Sequence, residues 1–173
     1  MTSSLFLLSI ILFFSFHHIL STNPDLIQQT CKTTKHFDLC ESSLKSDSSS
    51  PKADTIGLAL IMVKLGMANA TATTAYLSSQ MQTAKNDTAV MKECADKYAF
   101  AREALERSVQ DLSDEFYDYA YMHVMAAADY PVSCRITFKR YGGVAYPHEL
   151  AVREDGLKQI CDVVLGIIDS LAF

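Results

Sequence analysis

Residues 30–44 read TCKTTKHFDLCESSL, and this stretch decides how the N-terminal part of the chain folds. Eight residues separate Cys31 from Cys40, so the two thiols are close enough along the chain to clasp a tight connection. Upstream, Asn23-Pro24-Asp25 supplies a capping side chain, a proline suited to the first helical position and an acid that favours the positive end of a helix dipole. We therefore expect two short helices, reaching to about Leu44, with the cysteine segment at their turn.

A leader precedes this region. Residues 5–16, LFLLSIILFFSF, form an almost uninterrupted apolar run. A run of about 12 residues is too short for a membrane span, which needs roughly 20, and suits the core of a signal peptide. We expect cleavage near Ser21 or Thr22, which assigns 1–22 to a signal peptide and 23–173 to one secreted domain. The alternative is a signal anchor, since no Lys or Arg precedes the run.

Four longer segments carry apolar or small residues at steps of three, four and seven, which is the spacing of one helix face. They run from 53 to about 85, from 88 to 112, from 114 to about 140, and onward from Pro147. These segments predict an all-α, up-down-up-down four-helix bundle with an N-terminal helical hairpin. Phe116 is expected on the buried stripe of the third long helix. The residues of the last helix expected toward water or its edges are Arg153, Glu154, Lys158 and Asp162.

Composition and motifs exclude several classes of function. The formal net charge is −5, so the chain offers no basic field for nucleic acid. The sequence has no Glu-x-x-His or Cys-x-x-Cys motif and suggests neither a metal nor a cofactor. We expect His123 to be a partly buried, hydrogen-bonded histidine, and the acids Asp111, Asp114, Glu115 and Asp118 to form a solvated helix junction. With no catalytic motif, the prediction is a protein that is not an enzyme.

The three later cysteines fall in helical segments. Cys94 lies on the apolar face near the start of one long helix, and Cys134 lies late in the next. If these helices are antiparallel, both thiols lie near the same end of the bundle and can reach disulfide distance. Cys161 stands in the apolar stripe KQICDVVLGII and is expected to behave as a small buried hydrophobe. Secretion favours pairing, but sequence alone leaves the connectivity open.

Four quoted stretches together resemble the plant invertase and pectin methylesterase inhibitor family: IQQTCKTTKHFDLCESSL, MKECADKYAFAREAL, AAADYPVSC and LKQICDVVLGIIDSL. The resemblance covers the whole predicted mature region. It implies disulfides Cys31–Cys40 and Cys94–Cys134 and an unpaired Cys161. It also implies no catalysis. Such proteins bind a secreted carbohydrate-active enzyme one to one and cover its substrate cleft, so the expected partner is pectin methylesterase or acid invertase, in the cell wall or the vacuole.

One departure from the family pattern bears on the target. Invertase inhibitors of this family carry a Pro-Lys-Phe motif whose lysine enters the enzyme cleft between catalytic carboxylates. Counting back from Cys134, this triplet falls on Tyr117-Asp118-Tyr119, which we name as possible target contacts. An aspartate there would repel the invertase acids, which favours pectin methylesterase. Acid invertase is the alternative, followed by a non-inhibitory structural bundle like the plane-tree pollen allergen that the sequence also resembles.

Two sequons predict N-glycosylation of the secreted protein, Asn69-Ala70-Thr71 and Asn86-Asp87-Thr88. Asn86 lies at an expected turn between helices and is the preferred site. Asn69 lies on a predicted helix beside the apolar stripe, so we expect it to be less accessible for glycosylation than Asn86.

Overall fold

The computed structural model describes residues 23–83 and 88–172, which form six α-helices and one 3-10 helix and contain no strand. The expected signal peptide, residues 1–22, and the sequon residue Asn86 lie outside the described residues. The elements are α1 Asn23–Lys32, α2 Phe37–Ser46, the 3-10 helix Ser50–Lys52, α3 Thr55–Thr83, α4 Thr88–Ser113, α5 Tyr117–Arg140 and α6 His148–Leu171.

The four long helices α3 to α6 form the predicted bundle. α3 packs against α4 and α6, and α5 packs against the same two helices, so neighbours along the chain are also neighbours in space. α3 begins after Asp54, whose Oδ1 accepts the Gly57 N–H over 2.8 Å and caps the helix. The all-α prediction is confirmed. The periodic apolar residues explain the fold, because each helix has one face to bury.

Most side chains in the interior of the bundle are apolar, and they are closely packed. Gly66 on α3 illustrates how near the helices approach, since a Cβ there would lie 3.0 Å from Leu105 Cδ1 and 3.4 Å from Ile160 Cγ2. The largest fully buried side chains are Tyr98, Leu44, Leu58, Met62, Leu77, Leu105, Leu112, Leu150, Leu157, Ile167, Ile168 and Val63.

One described helix segment, Thr55–Gln82, is long and apolar enough to cross a membrane by length and composition alone. Its residues Leu58, Met62 and Val63 are fully buried within the bundle. The apolar character of α3 is therefore that of a core helix with several packed neighbours.

The N-terminal hairpin of α1 and α2 rests on α6. The Thr33 hydroxyl donates to the Gly166 carbonyl over 3.1 Å. A Cβ on Gly166 would lie 3.0 Å from both the Thr33 carbonyl oxygen and the Thr34 Cα, so any other residue there would push the hairpin backbone away from α6. Asp162 adds a polar contact with His36, at 3.4 Å from the histidine Nε2.

Two sequence predictions about side-chain placement are wrong. Phe116 was expected in the core, but it is 57% exposed because α5 begins only at Tyr117, and not at Asp114 as predicted. Glu154 was expected toward water or an edge, but it is 6% exposed. The charge of Glu154 suggested a position facing water, but residue 154 lies on the same helix face as the buried Leu150 and Leu157.

The buried Glu154 carboxylate has two polar partners. Arg135 Nη2 of α5 lies 3.1 Å from Glu154 Oε1, and the Tyr146 hydroxyl donates to Oε2 over 2.7 Å. Burial and this hydrogen bond raise the pKa of Tyr146, so its hydroxyl remains the donor. The ring of Tyr146 also contacts Phe138 edge-on, with centroids 5.1 Å apart. Glu154 thus attaches the α5–α6 connection to the bundle.

Candidate functional site

The connection between α4 and α5 forms a sharp corner at one end of the bundle. The Phe116 N–H donates to the Asp111 carbonyl over 2.8 Å, and the Glu115 N–H donates to the Leu112 carbonyl over 3.2 Å. Glu115 has φ of 58°. This pattern is a Schellman motif with a glutamate at the left-handed position that glycine usually takes. The motif reverses the chain within three residues and brings Tyr117-Asp118-Tyr119 to the tip.

The three residues predicted as target contacts lie together at this corner. Asp118 is exposed, Tyr119 is 61% exposed, and Tyr117 is partly buried. Phe116 belongs to the same surface, because its ring meets that of Tyr119 edge-on with centroids 6.4 Å apart. The corner therefore presents two aromatic rings and a carboxylate to solvent.

Two shallow depressions flank the corner, of about 370 and 330 Å³. Ile168 and Asp169 of α6 complete them together with Ala172, which follows the helix, and Glu115 of the connection joins Asp118 and Asp169 as a third acid. Among the described residues, no lysine or arginine lines either depression. The surface is acidic and aromatic.

Sequence reasoning missed the continuation of this surface along α5. Met122 is 65% exposed and Met125 is 46% exposed, and both follow Tyr119 on the solvent face of the helix. Exposed large apolar side chains in a contiguous group mark interaction surfaces. The available signal was the spacing of three residues from Tyr119 to Met122 and from Met122 to Met125, which places the three side chains on neighbouring positions of one helix face.

The cysteines are arranged as two bridges and one thiol. Cys31 is joined to Cys40 with their Cα atoms 5.6 Å apart, and Cys94 is joined to Cys134 with Cα atoms 4.8 Å apart. The second bridge links α4 to α5, which fixes the two helices whose connection forms the corner. Cys161 is free and buried, and burial raises the pKa of its thiol to about 12.

His123 and Asp111 form a close pair behind the corner. His123 Nδ1 lies 2.6 Å from Asp111 Oδ2, and the two side chains are 32% and 18% exposed. The prediction of a partly buried, hydrogen-bonded histidine is confirmed. Within 23–83 and 88–172, no group of three or more His, Cys, Asp or Glu side chains could hold a metal ion.

Asn69 lies on α3 where that helix faces α6. Its side chain is partly buried, with Oδ1 buried and lacking a hydrogen-bond partner. Its Nδ2 lies 3.4 Å from the point that a Cβ on Gly156 would occupy. A glycan on this nitrogen would require the side chain to turn out of the space between the helices.

Comparison with known proteins identifies the group to which this arrangement belongs. Residues 25–167 match the family model described as plant invertase/pectin methylesterase inhibitor. The chain belongs to this family. It is a proteinaceous inhibitor and not an enzyme.

Relatives of the inhibitor carry names from both halves of the family description. The cell wall / vacuolar inhibitor of fructosidase 2 of Arabidopsis thaliana is 49% identical over 176 residues, which cover 98% of each chain. Pectinesterase inhibitor 28 of Oryza sativa subsp. japonica is 38% identical over 156 residues, covering 84% of this chain and 69% of the relative. The family is therefore clear, whereas the names divide between two kinds of target.

Solved structures agree on the fold. A crystal structure of a mutant form of a pectin methylesterase inhibitor from Arabidopsis has a TM-score of 0.67 at 22% identity, covering 86% of this chain and 97% of the other. A second pectin methylesterase inhibitor structure, from Arabidopsis thaliana, has a TM-score of 0.62 at 22% identity, covering 84% and 95%. At this identity the likeness concerns the fold alone.

Proposed function

We propose that this protein is a secreted inhibitor that binds an acid invertase one to one and blocks its substrate cleft. The observation that carries the proposal is the end-to-end likeness, at 49% identity, to a relative named as an inhibitor of fructosidase. Invertase is a β-fructofuranosidase, so that name describes the same enzyme class. The relative's name also includes cell wall and vacuole, which supports delivery through the predicted leader to one of these compartments.

The corner at the start of α5 is the surface we propose for target contact. By the count back from Cys134, Tyr117-Asp118-Tyr119 corresponds to the family's invertase-binding triplet, and the exposure of Asp118 and Tyr119 supports their role in contact. The rings of Phe116 and Tyr119 can supply apolar contact area at an enzyme cleft. Asp118 opposes the negative charge of a glycosidase cleft, so binding must depend on these rings and the surrounding surface.

Pectin methylesterase is the second candidate target, and two observations favour it. One is the rice relative named as a pectinesterase inhibitor, at 38% identity. The other is the charge of the corner, where Glu115, Asp118 and Asp169 line depressions without a cationic side chain. An acidic surface complements an enzyme that must accommodate an acidic polysaccharide better than one with a carboxylate-lined cleft.

Titration of the purified protein against both enzymes tests the proposal. We expect invertase activity to fall to a plateau at one inhibitor per enzyme, with a weaker effect on pectin methylesterase. Inhibition of pectin methylesterase alone would move the second candidate to first place. No inhibition of either enzyme would favour the non-inhibitory bundle.

Asp118→Lys tests whether the corner is the contact. The substitution replaces repulsion by attraction at a cleft lined with carboxylates, so invertase inhibition should strengthen by roughly tenfold or more. Asp155→Lys is the matched control, since it makes the same charge change at an exposed position of α6. It lies 14 residues from Asp169, or about 21 Å along the helix. Equal effects of the two substitutions, or none for Asp118→Lys, would place the contact elsewhere.

A further inference from the structure

A second concave surface lies between α4 and α5, separate from the depressions at the corner. It is a groove of about 280 Å³ whose lining residues are Phe100, Glu103, Ala104, Arg107, His123, Ala126 and Tyr130. The alanines leave room between the helices, since larger side chains at these positions would fill the space. The family likeness assigns nothing to this groove.

The two ends of the groove differ in character. At one end the rings of Phe100 and Tyr130 lie with centroids 5.7 Å apart, and Phe100 is 47% exposed. At the other end stand Arg107, Glu103 and His123. A ligand in the groove would meet aromatic surface and polar groups at once, which is the usual composition of a small-molecule site.

The charges in the groove are balanced. Arg107 Nη2 lies 2.7 Å from Glu103 Oε1, so these two side chains offset each other. His123 Nδ1 is engaged by Asp111, a residue outside the groove lining. The second ring nitrogen, Nε2, is then left for a ligand. Because the opposite charges are paired, neither an anion nor a cation would gain net electrostatic attraction in the groove. A ligand with hydroxyl groups, in contrast, would find both hydrogen-bond donors and acceptors.

We propose that the α4–α5 groove binds a neutral sugar ring, stacked on Phe100 beside the Tyr130 ring, which is inclined to it by 43°, and hydrogen-bonded to polar side chains of the groove. A pyranose has one face of C–H groups, which suits an aromatic surface, and a rim of hydroxyls that both donate and accept. The volume accommodates a single ring with its substituents. The side chains of Arg107 and Glu103 are 63% and 51% exposed, so water competes for their hydrogen bonds and the affinity should be in the millimolar range.

Saturation-transfer difference NMR on the secreted protein tests the site. The probes are methyl β-D-glucopyranoside as a free sugar, cellohexaose as a wall-type glycan, and galacturonate and glucosamine as charged comparators. We expect saturation of the neutral pyranoside and weaker signals from both charged sugars. Stronger signals from cellohexaose would indicate a wall glycan as the source, and equal signals a free sugar. No saturation of either neutral probe would overturn the proposal, and so would preference for a charged one.

Two variants locate the binding. Ala126→Leu places a larger side chain in the groove and should abolish the signal, whereas Ala151→Leu makes the same change at an exposed position of α6 and should not. Phe100→Ala removes an exposed stacking ring and should weaken binding by roughly tenfold. Circular dichroism would verify that each variant is folded. Signals that persist in both Ala126→Leu and Phe100→Ala would refute a site in this groove.

Discussion

The two disulfides differ in the length of chain that they close, and this predicts unequal contributions to stability. Cys31 and Cys40 are separated by 9 positions, and Cys94 and Cys134 by 40. In the chain-entropy model, a closed loop stabilises by restricting the unfolded chain, by about 2.6 kcal/mol for the short loop and about 3.9 kcal/mol for the long one. Removing the α4–α5 bridge should therefore cost about 1.3 kcal/mol more than removing the hairpin bridge.

Guanidinium unfolding followed by far-ultraviolet circular dichroism measures the difference. The variants are Cys31→Ala with Cys40→Ala, and Cys94→Ala with Cys134→Ala, so that no new thiol is created. Cys161→Ala is the matched control, because all five cysteines are fully buried and only Cys161 has no bridge. We would subtract twice the loss in unfolding free energy measured for Cys161→Ala from the loss measured for each double variant. This subtraction removes the packing cost of exchanging two buried Cys residues for Ala.

The corrected values decide between two explanations. A larger loss of unfolding free energy for the α4–α5 pair would support the entropic explanation. The slope of the unfolding free energy against guanidinium concentration would show any change in the unfolded state. An equal or larger loss for the hairpin pair would refute it. That outcome would mean that the hairpin bridge acts mainly on the native state, by holding α1 and α2 against α6.

Three further predictions concern single positions. Glu115→Gly should raise the free energy of unfolding by about 0.5–1 kcal/mol, because relief of the left-handed φ outweighs the entropy of glycine, and Glu115→Ala should give no such gain. Burial raises the pKa of the Cys161 thiol to about 12, so this thiol should resist iodoacetamide at pH 8 in the folded protein and react in guanidinium. Rapid labelling of the folded protein would contradict its burial. Protein expressed in plant cells should lose mass on deglycosylation, and Asn86→Gln should remove that shift whereas Asn69→Gln should not, with the reverse result placing the glycan on α3.

The helices were predictable because their apolar spacing is regular over several turns. Leu150, Leu157 and Val164 stand seven apart on α6, and all three are buried. The position of Glu154 was predicted wrongly because its charge indicated exposure, whereas the helix spacing indicated burial. Arg135, the partner that permits this burial, comes from another helix. Single-sequence patterns contain no information about such pairs between distant segments.

The candidate site was predictable only in part. The triplet at 117–119 follows from the family resemblance, but the Schellman motif that exposes Phe116 depends on a glutamate in a conformation that sequence rules reserve for glycine. The α4–α5 groove could not be predicted, because Ala104 and Ala126 have no individual signature. Their effect arises only when two helices place small residues opposite each other.

The buried glutamate has a consequence for how α6 finds its place. Leu150, Leu157, Val164 and Leu171 stand seven residues apart, so a slide of α6 by one such repeat, about 10.5 Å, would keep an aliphatic side chain against much of the bundle. Hydrophobic packing alone distinguishes these registers poorly. In the register that moves Glu154 to the level now held by the buried Cys161, the carboxylate would lose Arg135 and lie in an apolar layer without a partner, at a cost of several kcal/mol. A single carboxylate on an otherwise repetitive seam thus selects one alignment of the helix from several of similar hydrophobic content.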